Sequence, residues 1–125
     1  MIVAVTKETK ERECRVALSP EVAQQLIKAG FRVQIEKGAG VSAYFSDDQY
    51  TAAGAEIVAD TTALISNADV LLRVNAPAAE EIAKMKKGAV LISFLYASTN
   101  KSTVEACQRQ EISAFSVDAI PRISR

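Results

Sequence analysis

Arg122 and Arg125 flank Ile123 and Ser124 in the last residues of the chain, directly after Pro121. Each guanidinium carries a permanent charge and a fixed fork of donors, so the pair is suited to clamp an anion. Ile112–Val117, rich in β-formers, reads as a buried strand that leaves little to face water. Asp118–Pro121 end it, because proline lacks an N–H and biases its predecessor toward extended structure. In an open α/β sheet, ligands meet the loops past the carboxyl ends of strands. The competing reading for the two arginines is a solvated chain end.

Arg15 is a second candidate, within Glu13-Cys14-Arg15-Val16-Ala17-Leu18-Ser19-Pro20. Its guanidinium can grip a carboxylate with two parallel hydrogen bonds. Equally, it can pair with a local acid such as Glu8 and fix the loop. Gly38-Ala39-Gly40-Val41-Ser42-Ala43 matches the G-x-G-x-x-A spacing of a dinucleotide loop, with Asp60 about 20 residues further on. That chemistry requires a helix to begin at the glycines and face the pyrophosphate. The helix signal arrives only at Ser46, so the segment is read as a glycine turn. Histidine is absent, which removes the commonest general base and metal ligand. Cys14 and Cys107 are too far apart for a metal spacing and fit a reduced protein, with Cys107 in the core. No catalytic acid, base, nucleophile or metal ligand is assigned.

The elements that must position these residues alternate. Strands are expected at Ile2–Val5, Phe31–Glu36, Glu56–Val58, Asp69–Val74, Ala89–Leu95 and Ile112–Val117. Between them, Ser19 caps a helix that Pro20 opens and Gly30 ends. Ser46 and Gln49 form a capping box for a helix that stops near Gly54. Asp60 caps Thr61–Ser66, Ala79–Lys86 is helical, and Asn100 caps Lys101–Gln110. Leu71, Leu72, Val90, Leu91, Ile92 and Phe94 are expected as core. Ala89–Leu95 is apolar enough for a strand covered on both faces. The expectation is one α/β domain over residues 1–125. It has a doubly wound, mostly parallel sheet with helices on both faces, a three-layer flavodoxin-like or Rossmann-like arrangement. Fifteen basic residues balance fifteen acidic ones, which speaks against a nucleic-acid surface. The longest apolar run falls short of the roughly 20 residues of a membrane helix. The start, Met1-Ile2-Val3-Ala4-Val5, lacks a basic leader.

Several segments carry a resemblance to a known family: Glu13–Pro20, Leu71–Pro77, Ile92–Tyr96 and Asp118–Arg125. The chain resembles the alanine dehydrogenase/transhydrogenase N-terminal family. Within it, the chain is similar to the first domain of the alpha subunit of proton-translocating NAD(P) transhydrogenases. Alanine dehydrogenases have a lysine where Asn75 stands and a histidine where Tyr96 stands, and their arginine matching Arg15 binds the substrate carboxylate. Asparagine and tyrosine cannot replace those groups at neutral pH.

The resemblance therefore implies an oxidoreductase fragment in which Arg122 touches the nicotinamide end of NAD(H), with Ile123, Ser124 and Arg125 continuing that loop. It implies a separate Rossmann domain for most of the NAD site, and NADP(H) on a partner component. It also implies a membrane component, a homodimer, and a place at the cytoplasmic face of the inner membrane without insertion of this segment. Direct hydride transfer belongs to the two cofactors, so the lack of histidine fits. An alanine-dehydrogenase-like oxidoreductase fragment and a non-enzymatic flavodoxin-like interaction module remain open.

Overall fold

A short apolar strand with no polar face has to be covered on both sides, and β1 (Ile2–Val5) lies inside the sheet with Ala4 and Val5 fully buried. The computed structural model describes residues 1–95 and 100–117. After β1 come α1 (Pro20–Lys28), β2 (Arg32–Glu36), a 3-10 turn (Val41–Ala43), α2 (Asp47–Ala52) and β3 (Glu56–Val58). The second half runs α3 (Thr61–Asn67), β4 (Val70–Asn75), α4 (Ala79–Lys84), β5 (Val90–Phe94), α5 (Lys101–Arg109) and β6 (Ser113–Ser116). All strand pairings are parallel, in the order β3-β2-β1-β4-β5-β6. This is the doubly wound order of dinucleotide-binding sheets rather than the flavodoxin order.

The local signals act as expected at most helix starts. Ser19 Oγ accepts from Val22 N, and Gly30 leaves α1 at φ +103°. At α2 the box is reciprocal: Gln49 N donates to Ser46 Oγ at 3.2 Å and Ser46 N donates to Gln49 Oε1 at 2.7 Å. Asp60 Oδ1 accepts from Ala63 N. Asn100 differs: its side chain makes no capping bond and instead donates to Leu95 O at 2.6 Å. The amide ties α5 back to the end of β5.

Alternation along the strands divides the core in two. Val3, Val5, Val33 and Ile35 pack with Ala23 and the fully buried Tyr50 beneath α1 and α2. Ala4, Leu71 and Leu91 pack with Leu64, Ile65, Ile82, Met85, Ala106 and Cys107 beneath α3, α4 and α5. Each fully buried Leu or Ile contributes about 1.5–3 kcal/mol relative to exposure. Tyr50 keeps its hydroxyl satisfied by donating to Leu18 O at 2.7 Å, which pins the long β1–α1 loop to α2.

The end of the sheet departs from expectation. Ile112–Val117 is not a buried strand: β6 is an edge, Ser113, Ala114 and Phe115 are exposed, and Phe115 retains 57% of its surface. α1 and α2 cover β1–β3 only, so the side of β4–β6 that shares their face has no helix above it. Leu72, Val90, Ile92 and Phe94 are accordingly half-buried, while Leu71 and Leu91 on the opposite face are core.

Candidate functional site

The crevice between β1 and β4, where the chain's progress across the sheet reverses, is where a doubly wound fold takes its ligand. Here it is filled from within. Glu8, three residues beyond β1, turns its carboxylate onto the end of β4. Its Oε2 accepts from Val74 N at 2.8 Å and its Oε1 from Asn75 N at 2.9 Å. The carboxylate thus replaces the ladder bonds that β1 no longer supplies. Arg73 Nε donates to Glu8 Oε2 at 3.3 Å, and Arg73 Nη1 donates to Thr6 Oγ1 at 3.2 Å and Glu81 Oε2 at 2.7 Å. The Arg73 and Glu8 side chains are 4% and 2% exposed, so each charge needs the other.

Asn75 extends this network outward. Its Nδ2 donates to Glu8 Oε1 at 3.3 Å and to Glu13 Oε1 at 2.8 Å. Glu13 also accepts from Arg15 three times at 2.9 Å: from the backbone N and Nε at Oε2, and from Nη2 at Oε1. The Arg15 guanidinium beside Glu13, helped by Asn75, holds this carboxyl down at about 2. Arg15 therefore does pair with a local acid, but the acid is Glu13; Glu8 is held by Arg73.

The Arg15 guanidinium lies 5.9 Å from the Phe94 ring centroid, in cation–π range, and 64% of its side chain stays exposed. Beneath it opens a cleft of about 280 Å³ whose apolar lining includes Leu72, Val74, Ile92, Phe94 and Val117. These strand residues line a cleft instead of closing a core, because no helix covers this side of β4–β6. The result is an apolar slot at the carboxyl end of the sheet with one ion pair at its mouth.

Arg122, Ile123, Ser124 and Arg125 lie outside the described residues, as do Tyr96 and Pro121. The last described residue, Val117, reaches the cleft. The glycine segment is a turn, as its late helix signal implies. Gly38 sits at φ +78° with its N–H on Asp47 Oδ1, after β2 rather than at the β1–β4 crevice. Cys14 is exposed and Cys107 is buried, its thiol pushed up by burial.

Sequence reasoning missed the Glu8–Arg73–Glu81 cluster. One signal was available: Arg73 interrupts the apolar Leu71-Leu72-Arg73-Val74, and a cation inside such a strand demands buried acids. Among the described residues no group of acids, cysteines or histidines is placed to hold a metal, and no helix is long and apolar enough to cross a membrane.

A family model described as alanine dehydrogenase/PNT, N-terminal domain, matches residues 4–125. The chain is 44% identical over its whole length to the first of the polypeptides that make up the NAD(P) transhydrogenase subunit alpha of Rhodospirillum rubrum, covering 34% of that polypeptide. It is 42% identical over its whole length to the NAD(P) transhydrogenase subunit alpha of Haemophilus influenzae, covering 24% of it. The solved transhydrogenase of Sinorhizobium meliloti superposes with a TM-score of 0.91 at 35% identity, over 99% of this chain and 37% of that one. A solved L-alanine dehydrogenase superposes at 0.87 and 33% identity, over 93% and 32%. The chain thus spans about a third or less of the curated relatives just described.

Proposed function

The chain belongs to the alanine dehydrogenase/PNT N-terminal domain family, and from that premise we propose that it is the first domain of an NAD(P) transhydrogenase alpha subunit. In this reading the complete subunit holds NAD(H) mainly on a separate Rossmann domain. Hydride passes between it and NADP(H) on a partner component, coupled to proton movement through a membrane component. The subunit works as a homodimer at the cytoplasmic face of the membrane. The 125-residue segment is inactive alone, and its role is to orient the nicotinamide end through the loop that follows β6, with Arg122 first and Ile123, Ser124 and Arg125 continuing it.

One observation carries this reading. The sheet has the dinucleotide-binding order, yet Glu8 occupies its crevice and bonds Val74 N and Asn75 N. A pyrophosphate would meet a buried carboxylate there instead of a helix N-terminus, so this domain supports a coenzyme held elsewhere. The alanine dehydrogenase alternative draws on the second superposition. It is disfavoured because position 75 offers a neutral amide between two carboxylates, where a keto acid would need a cation.

The test is steady-state hydride exchange between NADH and an NADP⁺ analogue by the complete assembly, with alanine oxidation measured beside it. Exchange without alanine oxidation is expected, and the reverse would replace this reading by the dehydrogenase one. Arg122→Ala should lower the exchange rate on the order of 100-fold with the melting temperature unchanged, since a misplacement of about 1 Å at reacting rings has that effect. An equal rate would return Arg122 to the role of a solvated side chain.

A further inference from the structure

The Asn75 carboxamide is wedged between two carboxylates, with Nδ2 2.8 Å from Glu13 Oε1 and 3.3 Å from Glu8 Oε1. Glu8 is committed to β4 and Arg73, and Glu13 is committed to Arg15. We propose that Asn75 determines the specificity of the Arg15 cleft: its neutral amide leaves Glu13 clasped to Arg15, so the cleft turns away small carboxylates and admits uncharged polar groups.

The argument is one of charge and competition. Around the mouth, Glu8, Glu13 and Glu81 face Arg15 and Arg73, one negative charge in excess. An arriving carboxylate would have to take the Arg15 fork from Glu13. That acid is held by four donors, and its side chain is only 8% exposed. An exchange of one carboxylate for another gains nothing at the fork and leaves Glu13 stranded beside Glu8. A neutral amide or carbonyl entering over Leu72, Ile92 and Phe94 has no such competition, because it leaves the ion pair in place.

A cation at position 75 would reverse the outcome. It would stand within reach of both Glu8 and Glu13, cancel the excess charge, and draw Glu13 away from the Arg15 fork. This inference does not rest on the transhydrogenase reading, since it concerns only side chains already described around the cleft.

The test uses the 125-residue chain, with pyruvate and acetate as anionic probes and acetamide as the uncharged control. Binding is followed by calorimetry and by the Arg15 Nε–H resonance. Asn75→Lys and Glu13→Gln are each expected to bind pyruvate at least about tenfold more tightly than the unsubstituted chain, with the Arg15 resonance moving in the same titration. Asn75→Leu, which disturbs the same packing without adding charge, is expected to show no gain. The proposal is overturned if folded Asn75→Lys and Glu13→Gln bind pyruvate no more tightly than the unsubstituted chain. It is equally overturned if Asn75→Leu gains as much, or if acetamide gains in parallel. Should either substitution unfold the chain, the unsubstituted protein decides. A saturable pyruvate titration that moves its Arg15 resonance overturns the proposal, and an unmoved resonance supports it.

Discussion

Glu8 does at residue scale what an extra strand residue would do, and that makes it the most sensitive single position in the sheet. Removing its carboxylate leaves Arg73 buried with only some of its compensation and strips Val74 N and Asn75 N of their acceptors. Breaking a buried pair from one side costs about 3–5 kcal/mol. Glu8→Ala should therefore lower the urea unfolding free energy by that amount, and a loss under about 1 kcal/mol would show that the network is not buried as described. Glu13 gives a second prediction, through pH. Its carboxyl titrates near 4.5 when unfolded and at about 2 when folded. The unfolded chain thus binds the proton first, so Glu13's stabilisation is present above 4.5 and is lost as pH falls toward 2. Glu13→Gln should flatten that segment of the stability–pH profile, and a slope equal to that of the unsubstituted chain would contradict the assignment. Arg15 was legible in the sequence as an arginine with a local partner. The identity of that partner was not, because Glu8 and Glu13 are both near in sequence and only the fold sends Glu8 to β4.

Helix starts were the most legible elements, since a cap and its acceptor lie within three residues of each other. Ser19, Ser46 and Asp60 all act where their spacing placed them. The strand at Ile112–Val117 was misjudged because β-forming composition reports that a strand forms, and says nothing of whether it lies at an edge. Asn100 was misjudged for a related reason: its amide found the Leu95 carbonyl across the β5–α5 loop instead of the first turn of its own helix. The turn after β2 supplies an element-scale prediction. Gly40 has an ordinary negative φ of −95°, yet a Cβ there would stand 2.7 Å from Tyr50 Cε2, 2.8 Å from Phe45 O and 2.9 Å from Phe45 Cβ. Gly40→Ala should therefore destabilise by about 1–3 kcal/mol through overpacking against Tyr50, the same side chain that pins Leu18. Gly38→Ala meets open space but must adopt φ +78°, so its cost is backbone strain alone, on the order of 1 kcal/mol. Thermal unfolding of the two variants checks this. A neutral Gly40→Ala would mean that the turn and Tyr50 do not touch.

At the scale of the whole molecule, alternating strands and helices were enough to read a parallel sheet with crossovers on both faces. The order β3-β2-β1-β4-β5-β6 was not readable, because pairing between strands far apart in sequence leaves no local mark. That order creates the β1–β4 crevice, and the crevice decides what the domain can hold. The sequence offered a glycine match at residues 38–43 and a reason to decline it; the sheet supplies the stronger reason, a carboxylate seated where a pyrophosphate would go. In the proposed reading, the uncovered face of β4–β6 and the cleft under Arg15 form the side on which this domain meets the rest of the coenzyme site. The central claim is that the dinucleotide crevice of this sheet is closed by Glu8 and that the coenzyme is held elsewhere. Calorimetric titration of the 125-residue chain with NADH tests it most directly. The account predicts no saturable binding tighter than about 1 mM, whereas a dissociation constant on the order of 1 μM, about 8 kcal/mol of binding, would contradict it.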